Sequence, residues 1–383
     1  MSLFSIFNHY SAYKDFCNLH RDYRDIVIYS EGRPYWIHLK PIIESLLSDG
    51  KMKLTYISSS ENDPGLKINN PNMKSYCIGE GIIRTIFFSK LKSKILLMTM
   101  PDLDTYQIKR SIHNVHYVYI FHSMVSTHMI YRKHAFDAFD AVFCVGPHQI
   151  DEIKKHEKMY GLKSKQLLEH GYGRLDIILS DVQGNSEITE NNNELTILIA
   201  PSWGENALIE SGYAMKIIEH LLIEEIKVIL RPHPETIKRS KNLLDEIKNS
   251  FKGNRNFIFD GDVSTQDSLY KSSIMICDWS GAALDYAFGL EKPVIFVDTP
   301  PKVNNSEWEK LGIVPIEDSI RHEIGAVVSL ANIADIPAIA KDLIKSKESY
   351  LSNIRKNRDK YIFNVGNSGD IGAKYIRNIL KNK

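Results

Sequence analysis

Short apolar runs alternate with amphipathic stretches along nearly the whole chain. DIVIYS (25–30) precedes a helical pattern from Tyr35 to Leu47. KLTYIS (53–58), KILLMTM (94–100), VHYVYIF (115–121) and AVFCVG (141–146) follow, with helical stretches at 128–139 and 147–159. Runs that are apolar on both faces suit strands covered on both sides, and strand–helix alternation predicts a parallel sheet flanked by helices. Residues 181–194, DVQGNSEITENNNE, break the pattern: they are polar, aperiodic and rich in Asn and Glu, and read as a linker. The pattern restarts with LTILIAPS (195–202), a helix over 206–223, KVILRP (227–232) and a helix over 236–250. NFIFD (256–260), IMICD (274–278), a helix over 281–289 and PVIFVD (293–298) complete it. The expectation is two Rossmann-like α/β domains, 1–180 and 195–365, joined by the linker. A terminal helix in 366–383 packs back on the first domain. Ligands of open α/β sheets bind beyond the carboxyl ends of the strands, so the cleft between domains is the expected active site.

Composition narrows the function classes. The chain is 43% hydrophobic and 25% charged with a formal net charge of +1. No overall field points to nucleic acid or an anionic surface, so any positive site is local. Cys17, Cys77, Cys144 and Cys277 stand far apart without a CxxC, which speaks against a disulfide framework and for a reducing compartment. No run approaches a membrane span. The apolar, aromatic start lacks a basic n-region and a cleavage site, so a core-packing helix is expected there rather than a signal peptide. A cytoplasmic location follows, with peripheral contact at the inner membrane face left open by the basic tail KYIRNILKNK (374–383).

The candidate chemistry sits at strand ends. Strand 195–200 runs into Pro201, Ser202, Trp203 and Gly204, and VILRPHPE (228–235) ends in Arg231 and His233 between prolines that stop the ladder and stiffen the turn. Strand 274–277 runs into DWSGAALDYA (278–287), where Asp278 is followed by Ser280 and Gly281 at a helix start and by Asp285 within the helix. Free N–H groups and the positive dipole end make such a start an anion site, and Arg231 and His233 add donors suited to a diphosphate. In the first half, His122 at the end of strand 115–121 is a candidate general base. Glu31 after strand 25–30 is a second base candidate, and Arg174 in EHGYGRLDI (169–177) reaches toward the cleft. Each has a plainer reading, as a cap, a loop hydrogen bond or a salt bridge. No metal-ligand spacing, GxGxxG, P-loop or GxSxG elbow occurs.

With these residues assembled, the chain resembles the CDP-glycerol glycerophosphotransferase family, which builds teichoic acids and related phosphate-linked capsules. GYGRLDI (171–177) is similar to its Gly-Tyr-Pro-Arg-Asn-Asp element, ILIAPSW (197–203) to its Ala-Pro-Thr-Trp strand end, and LRPHPE (230–235) to its Arg-x-His-Pro element. CDWSGAALDYAFGLEKPVIFVD (277–298) resembles its Thr-Asp-Tyr-Ser-Ser…Asp…Pro segment, and GDIGAKYI (369–376) its terminal Asp-Gly-x-Ala. The resemblance implies a GT-B fold, two Rossmann-like domains facing across a cleft. It also implies metal-independent transfer of an alditol phosphate from a CDP-alditol to a cell-surface polysaccharide or its lipid-linked precursor, with release of CMP. No cofactor is implied, since the nucleotide donor is a substrate. His233, Ser280 and Gly281 would hold the donor diphosphate, with His122 as base on the acceptor hydroxyl. The chain departs from the family where its second Ser is Gly281, its Trp-His-Gly is Phe121-His122-Ser123 and its Gly-Tyr-Pro-Arg is Gly171-Tyr172-Gly173-Arg174. A GT-B glycosyltransferase using a nucleotide sugar would need much the same anion site and is the first alternative. A non-hydrolysing sugar-nucleotide epimerase and a catalytically dead binding module are further ones.

Overall fold

The computed structural model describes residues 3–106, 108–184, 195–262 and 265–382. The chain divides into two compact units. One comprises Met1–His122, Tyr131–Ile177 and Tyr361–Lys383, and the other Ser123–Ile130 and Ile178–Lys360.

In the first unit the apolar runs pair side by side as parallel strands: β1 (Ile26–Ser30), β2 (Leu54–Ser58), β3 (Met73–Cys77), β4 (Ile95–Met98), β5 (His116–Ile120), β6 (Ala141–Cys144) and β7 (Gln166–Glu169). Their order is β3-β2-β1-β4-β5-β6-β7. Register keeps the strand ends level, with Tyr29 opposite both Ile57 and Met98. Every residue of β1, β2, β4 and β6 is buried, as a sheet covered on both faces requires. Helix α1 (Trp36–Leu47) lays Leu39, Ile42, Ile43 and Leu46 on one face. Helix α2 (Pro147–Tyr160) starts with Pro at its first position and stops at Gly161 in the left-handed conformation, the usual asymmetry of helix ends. Helix α3 (Gly173–Gly184) extends into the stretch read as a linker, and the rest of that stretch, 185–194, lies outside the described residues.

The second unit repeats the plan with β8 (Thr196–Ile199), β9 (Lys227–Leu230), β10 (Phe257–Phe259), β11 (Ile274–Cys277), β12 (Val294–Asp298) and β13 (Gly325–Ser329), all parallel in the order β10-β9-β8-β11-β12-β13. Helices α4 (Pro234–Arg239) and α5 (Ala282–Leu290) follow β9 and β11. In both sheets the strand order reverses beside the first strand of the unit, between β1 and β4 and between β8 and β11. Such reversals open a crevice at the carboxyl ends. The last helix, α6 (Ser368–Lys381), belongs to the first unit, where buried Ala373 and Ile376 join the core that α1 covers.

Three expected helices are shorter than their periodicity suggests. Over 128–139 only Thr127–Ile130 is helical. Beyond it Tyr131, Phe136 and Phe139 turn into a ring cluster with Tyr119 and Phe121, and Asp102 N donates to Ala135 O across the turn. The helix expected from 206 begins at Tyr213, behind Gly212 at φ +78°, because Leu208 N is drawn to Asp278. The 236–250 helix breaks at Ser240, whose hydroxyl, like that of Thr236, donates to Glu210. The strands β3, β7 and β13 escaped the reading, since each lies at a sheet edge and mixes polar with apolar residues.

Candidate active site

In the first unit the crevice is built around a buried carboxylate. Asp63 accepts from Ser30 Oγ at 2.7 Å, Tyr56 Oη at 2.9 Å, Ser58 Oγ at 2.8 Å and Gly65 N at 2.9 Å. This ties the end of β1 to that of β2. Gly32 then turns at φ +141° against Ser60, a conformation and an approach that a side chain would prevent. Glu31 is thereby held at the reversal point, where Thr99 Oγ1 from the end of β4 donates to its Oε2 at 3.3 Å. The carbonyl of the same Thr99 lies 3.3 Å from His122 Nδ1. Glu31, Thr99 and His122 thus form one chain across the ends of β1, β4 and β5.

The His122 ring is packed edge-on to Tyr35, 5.4 Å between centroids, and lies 6.3 Å from His38. Its own carbonyl accepts from Tyr172 Oη at 2.9 Å. Burial pulls its pKa down to about 4, against the opposing pull of the Thr99 carbonyl. The ring is therefore neutral near pH 7. Donation from Nδ1 to Thr99 O assigns the proton to Nδ1 and leaves Nε2 with its lone pair, the state a general base requires. His38 is pushed well below its ordinary value by burial, then by the charge of Arg174, which brings Arg174 into this cluster. Asp176, in the same GYGRLDI stretch, accepts from Gly366 N, Ser368 N and Ser368 Oγ. It caps α6, so this part of the stretch serves the fold.

In the second unit the reversal point is organised by Asp278. Its carboxylate is buried and accepts from Ser202 N at 2.7 Å and Leu208 N at 3.0 Å. It shapes the loop after β8 and is not turned outward. Arg231 is buried as well: its guanidinium donates to Ser268 Oγ at 2.7 Å and Thr265 O at 2.9 Å and lies 3.6 Å from Asp260. These bonds brace Arg231 against the loop after β10 and the helix start that follows. His233 caps α4, accepting at Nδ1 from Glu235 N at 3.1 Å. That bond assigns the proton of the neutral ring to Nε2, as a donor.

Trp203 lies beside His233 at 6.1 Å, with Lys302 Nζ 4.4 Å and the Arg239 guanidinium 5.4 Å from its ring centroid. Burial lowers the Lys302 pKa to about 8, while Asp278, Glu210 and Glu235 resist the fall. Lys302 went unnoticed in the sequence because it stands in the loop after β12 with no motif around it.

Ser280 and Gly281 precede α5 as expected, and Asp285 is buried in its first turn. The segment 123–130 packs here. Ser126 donates N–H and Oγ–H to the buried Glu317 at 2.9 and 2.6 Å, and Asn305 Nδ2 donates to His128 O at 2.9 Å. This anchoring sets Ser123 Oγ against Gly281, where a Cβ would collide with it. Ser123 and Ser280 thus stand at the start of α5, where Ala283 N and Leu284 N donate to Ser280 O and Gly281 O at 3.1 and 3.2 Å. Hydroxyls, a helix N-terminus, a His donor and a lysine are the chemistry of a phosphate site.

Residues 128–300 match the family model described as CDP-Glycerol:Poly(glycerophosphate) glycerophosphotransferase. No curated protein matches the chain. Among solved structures, the wall teichoic acid polymerase TagF with CDPG shares 14% identity at a TM-score of 0.60, over 100% of this chain and 99% of that one. A putative UDP-N-acetylglucosamine 2-epimerase from Listeria monocytogenes shares 15% at 0.60, over 94% and 97%. The UDP-GlcNAc 2-epimerase from Methanocaldococcus jannaschii, with UDP-GlcNAc and UDP, shares 16% at 0.56, over 94% and 99%. At these identities the structures bear on fold alone, and the fold is the two-domain Rossmann-like α/β of the GT-B class.

Proposed function

We propose, from the place of residues 128–300 in the CDP-glycerol glycerophosphotransferase family, that this chain transfers an alditol phosphate from a CDP-alditol to a hydroxyl of a cell-surface polysaccharide or its lipid-linked precursor. The family match is the observation that carries the reading. CMP is the leaving group. The work is done at the cytoplasmic face of a membrane, which the chain contacts peripherally; no described helix is long and apolar enough to cross one.

In the proposed step the acceptor oxygen attacks the β-phosphorus of the donor. A P–O bond forms to the acceptor, and the bond from the β-phosphorus to the bridging oxygen breaks. The acceptor proton passes to His122 Nε2, and the bridging oxygen leaves as the phosphate of CMP. Glu31, through Thr99, keeps His122 oriented. The second unit supplies the charge stabilisation: His233 Nε2–H, Lys302, the hydroxyls of Ser123 and Ser280, and the N-terminus of α5. Donors fixed before the reaction stabilise charge as it develops without reorganising, usually the largest contribution in such transfers. The step needs no metal at the reacting phosphates.

The test is incubation of the purified chain with CDP-glycerol, CDP-ribitol and UDP- or GDP-sugars beside a polyol-phosphate acceptor, with chromatographic detection of the nucleotide released. CMP formed from a CDP-alditol supports the reading. Release of UDP or GDP from a sugar donor, with CDP-alditols inert, overturns it.

A further inference from the structure

Among the described residues, one group of His, Cys, Asp or Glu side chains brings three ligand atoms together, all within 4.8 Å of one another: His134, Asp137 and His156. It lies wholly in the first unit and has no part in the site above. His134 Nδ1 is 2.7 Å from Asp137 Oδ2. On the other side the buried His156 Nε2 is paired with Asp137 Oδ1 at 3.5 Å, a long contact. Asp137 thus stands between two imidazoles, one at a normal bond length and one whose buried nitrogen sits at the outer limit of a hydrogen bond.

We propose that His134 Nδ1, Asp137 and His156 Nε2 form a binding site for a divalent transition metal of the zinc class. Two imidazoles and one carboxylate are a common donor set for such ions, with water as the fourth ligand. Bonds of about 2.1 Å in tetrahedral geometry bring ligand atoms to roughly 3.4 Å apart, so small side-chain rotations from the observed positions close the site. The proton shared between His134 and Asp137 leaves as the metal enters. Tyr160, one turn beyond His156 on α2, packs its ring 4.7 Å from that imidazole and shields it. The buried Lys165, whose charge also acts on Asp137, is paired with Glu157 at 3.2 Å. Spacing alone hid the site, since His134 and Asp137 stand in the turn before β6 and His156 on α2 beyond it. Metal binding would staple that turn to α2. The same turn carries Tyr131 and Phe136, which pack on Phe121 beside His122, so the ion acts as a structural clamp behind the first unit's crevice.

The test uses the full chain, stripped of metal by a chelator and titrated with Zn²⁺ by calorimetry and with Co²⁺ by absorption spectroscopy. One equivalent of Zn²⁺ binds, Co²⁺ gives the intense visible bands of a low-coordinate nitrogen–oxygen site, and Mg²⁺ does not compete. His156→Ala and Asp137→Asn weaken binding by about a hundredfold or more. His134→Ala, whose side chain is half exposed and whose loss leaves the fold intact by circular dichroism, does the same. Absence of stoichiometric binding overturns the proposal, and so does wild-type affinity in folded His134→Ala.

Discussion

Ser123 Oγ occupies the space a Cβ on Gly281 would need, so a side chain at 281 must displace that hydroxyl. The resemblance implies a Gly at the first position and a Ser at the second. The two departures are therefore complementary: the hydroxyl lost at 281 returns from 123, carried by a segment that Glu317 and Asn305 lock to the second unit. Gly281→Ser alone overpacks the site, at about 1–3 kcal/mol, and weakens donor binding. Ser123→Gly added to it restores both. Isothermal titration with a CDP-alditol and thermal melts of the single and double variants check this, and additive losses would contradict it.

His233 and Arg231 separate by the property they change. His233→Ala removes a donor to the transferring phosphate, lowering kcat on the order of a hundredfold, while losing only the cap of α4, about 1 kcal/mol of stability. Arg231→Ala removes the brace to Ser268, Thr265 and Asp260 and destabilises by about 1–3 kcal/mol. Chemical denaturation beside steady-state kinetics distinguishes them, and the account fails if the two variants behave alike.

The two ends of the pH profile have separate owners. With a pKa of about 4, His122 stays unprotonated well below the ordinary imidazole range, so the acid limb of kcat/KM lies below pH 6. Lys302, at about 8, loses its charge above that pH, and KM for the donor rises there. A Lys302→Met variant lacks this alkaline rise. An unchanged alkaline limb in the variant would remove Lys302 from the site.

Stability follows the same groups with a definite sign. His122 and His170 are both held near 4 by burial in the folded first unit, while the unfolded chain takes up protons at about 6.5. The unfolded state then binds more protons between these values, so stability is complete above about pH 6.5 and declines as pH falls toward 4. Urea midpoints measured from pH 7.5 to 4.5 follow that slope. Substituting His170, stacked on Phe143 at 4.8 Å, by Gln flattens it.

The packing of α6 is a further independent point. Ile376 is fully buried in the first unit's core, and Ile376→Ala costs about 2–5 kcal/mol. Asp176→Asn, which weakens the cap that α3 gives α6, shows as faster hydrogen exchange in residues 366–376 without a change at Glu31 or His122.

What the sequence disclosed and what it hid have physical reasons. The central strands were legible because residues such as Ile26–Ile28 and Ile274–Ile276 are apolar on both faces and leave one reading. Helix lengths were not, because the turn 131–139 and the loop 205–212 are bent by tertiary bonds, Asp102 to Ala135 and Asp278 to Leu208. Of the residues proposed for the site, His122, His233, Ser280 and Gly281 stand out through strand ends and a helix start. Arg231 looked alike in sequence, yet its partners Ser268 and Asp260 lie on other elements and turn it inward. Lys302 and Ser123 acquire meaning only through Trp203 and Gly281, contacts no spacing displays.

The most direct measurement is CMP release from CDP-glycerol, with a polyol-phosphate acceptor, by wild type, His122→Ala and His233→Ala, alongside donor affinity by titration. The account predicts turnover by wild type, loss of turnover with donor affinity retained in His122→Ala, and loss of both in His233→Ala. Turnover near wild type in either variant, or loss of donor affinity in His122→Ala, would contradict the division of base and phosphate clamp between them.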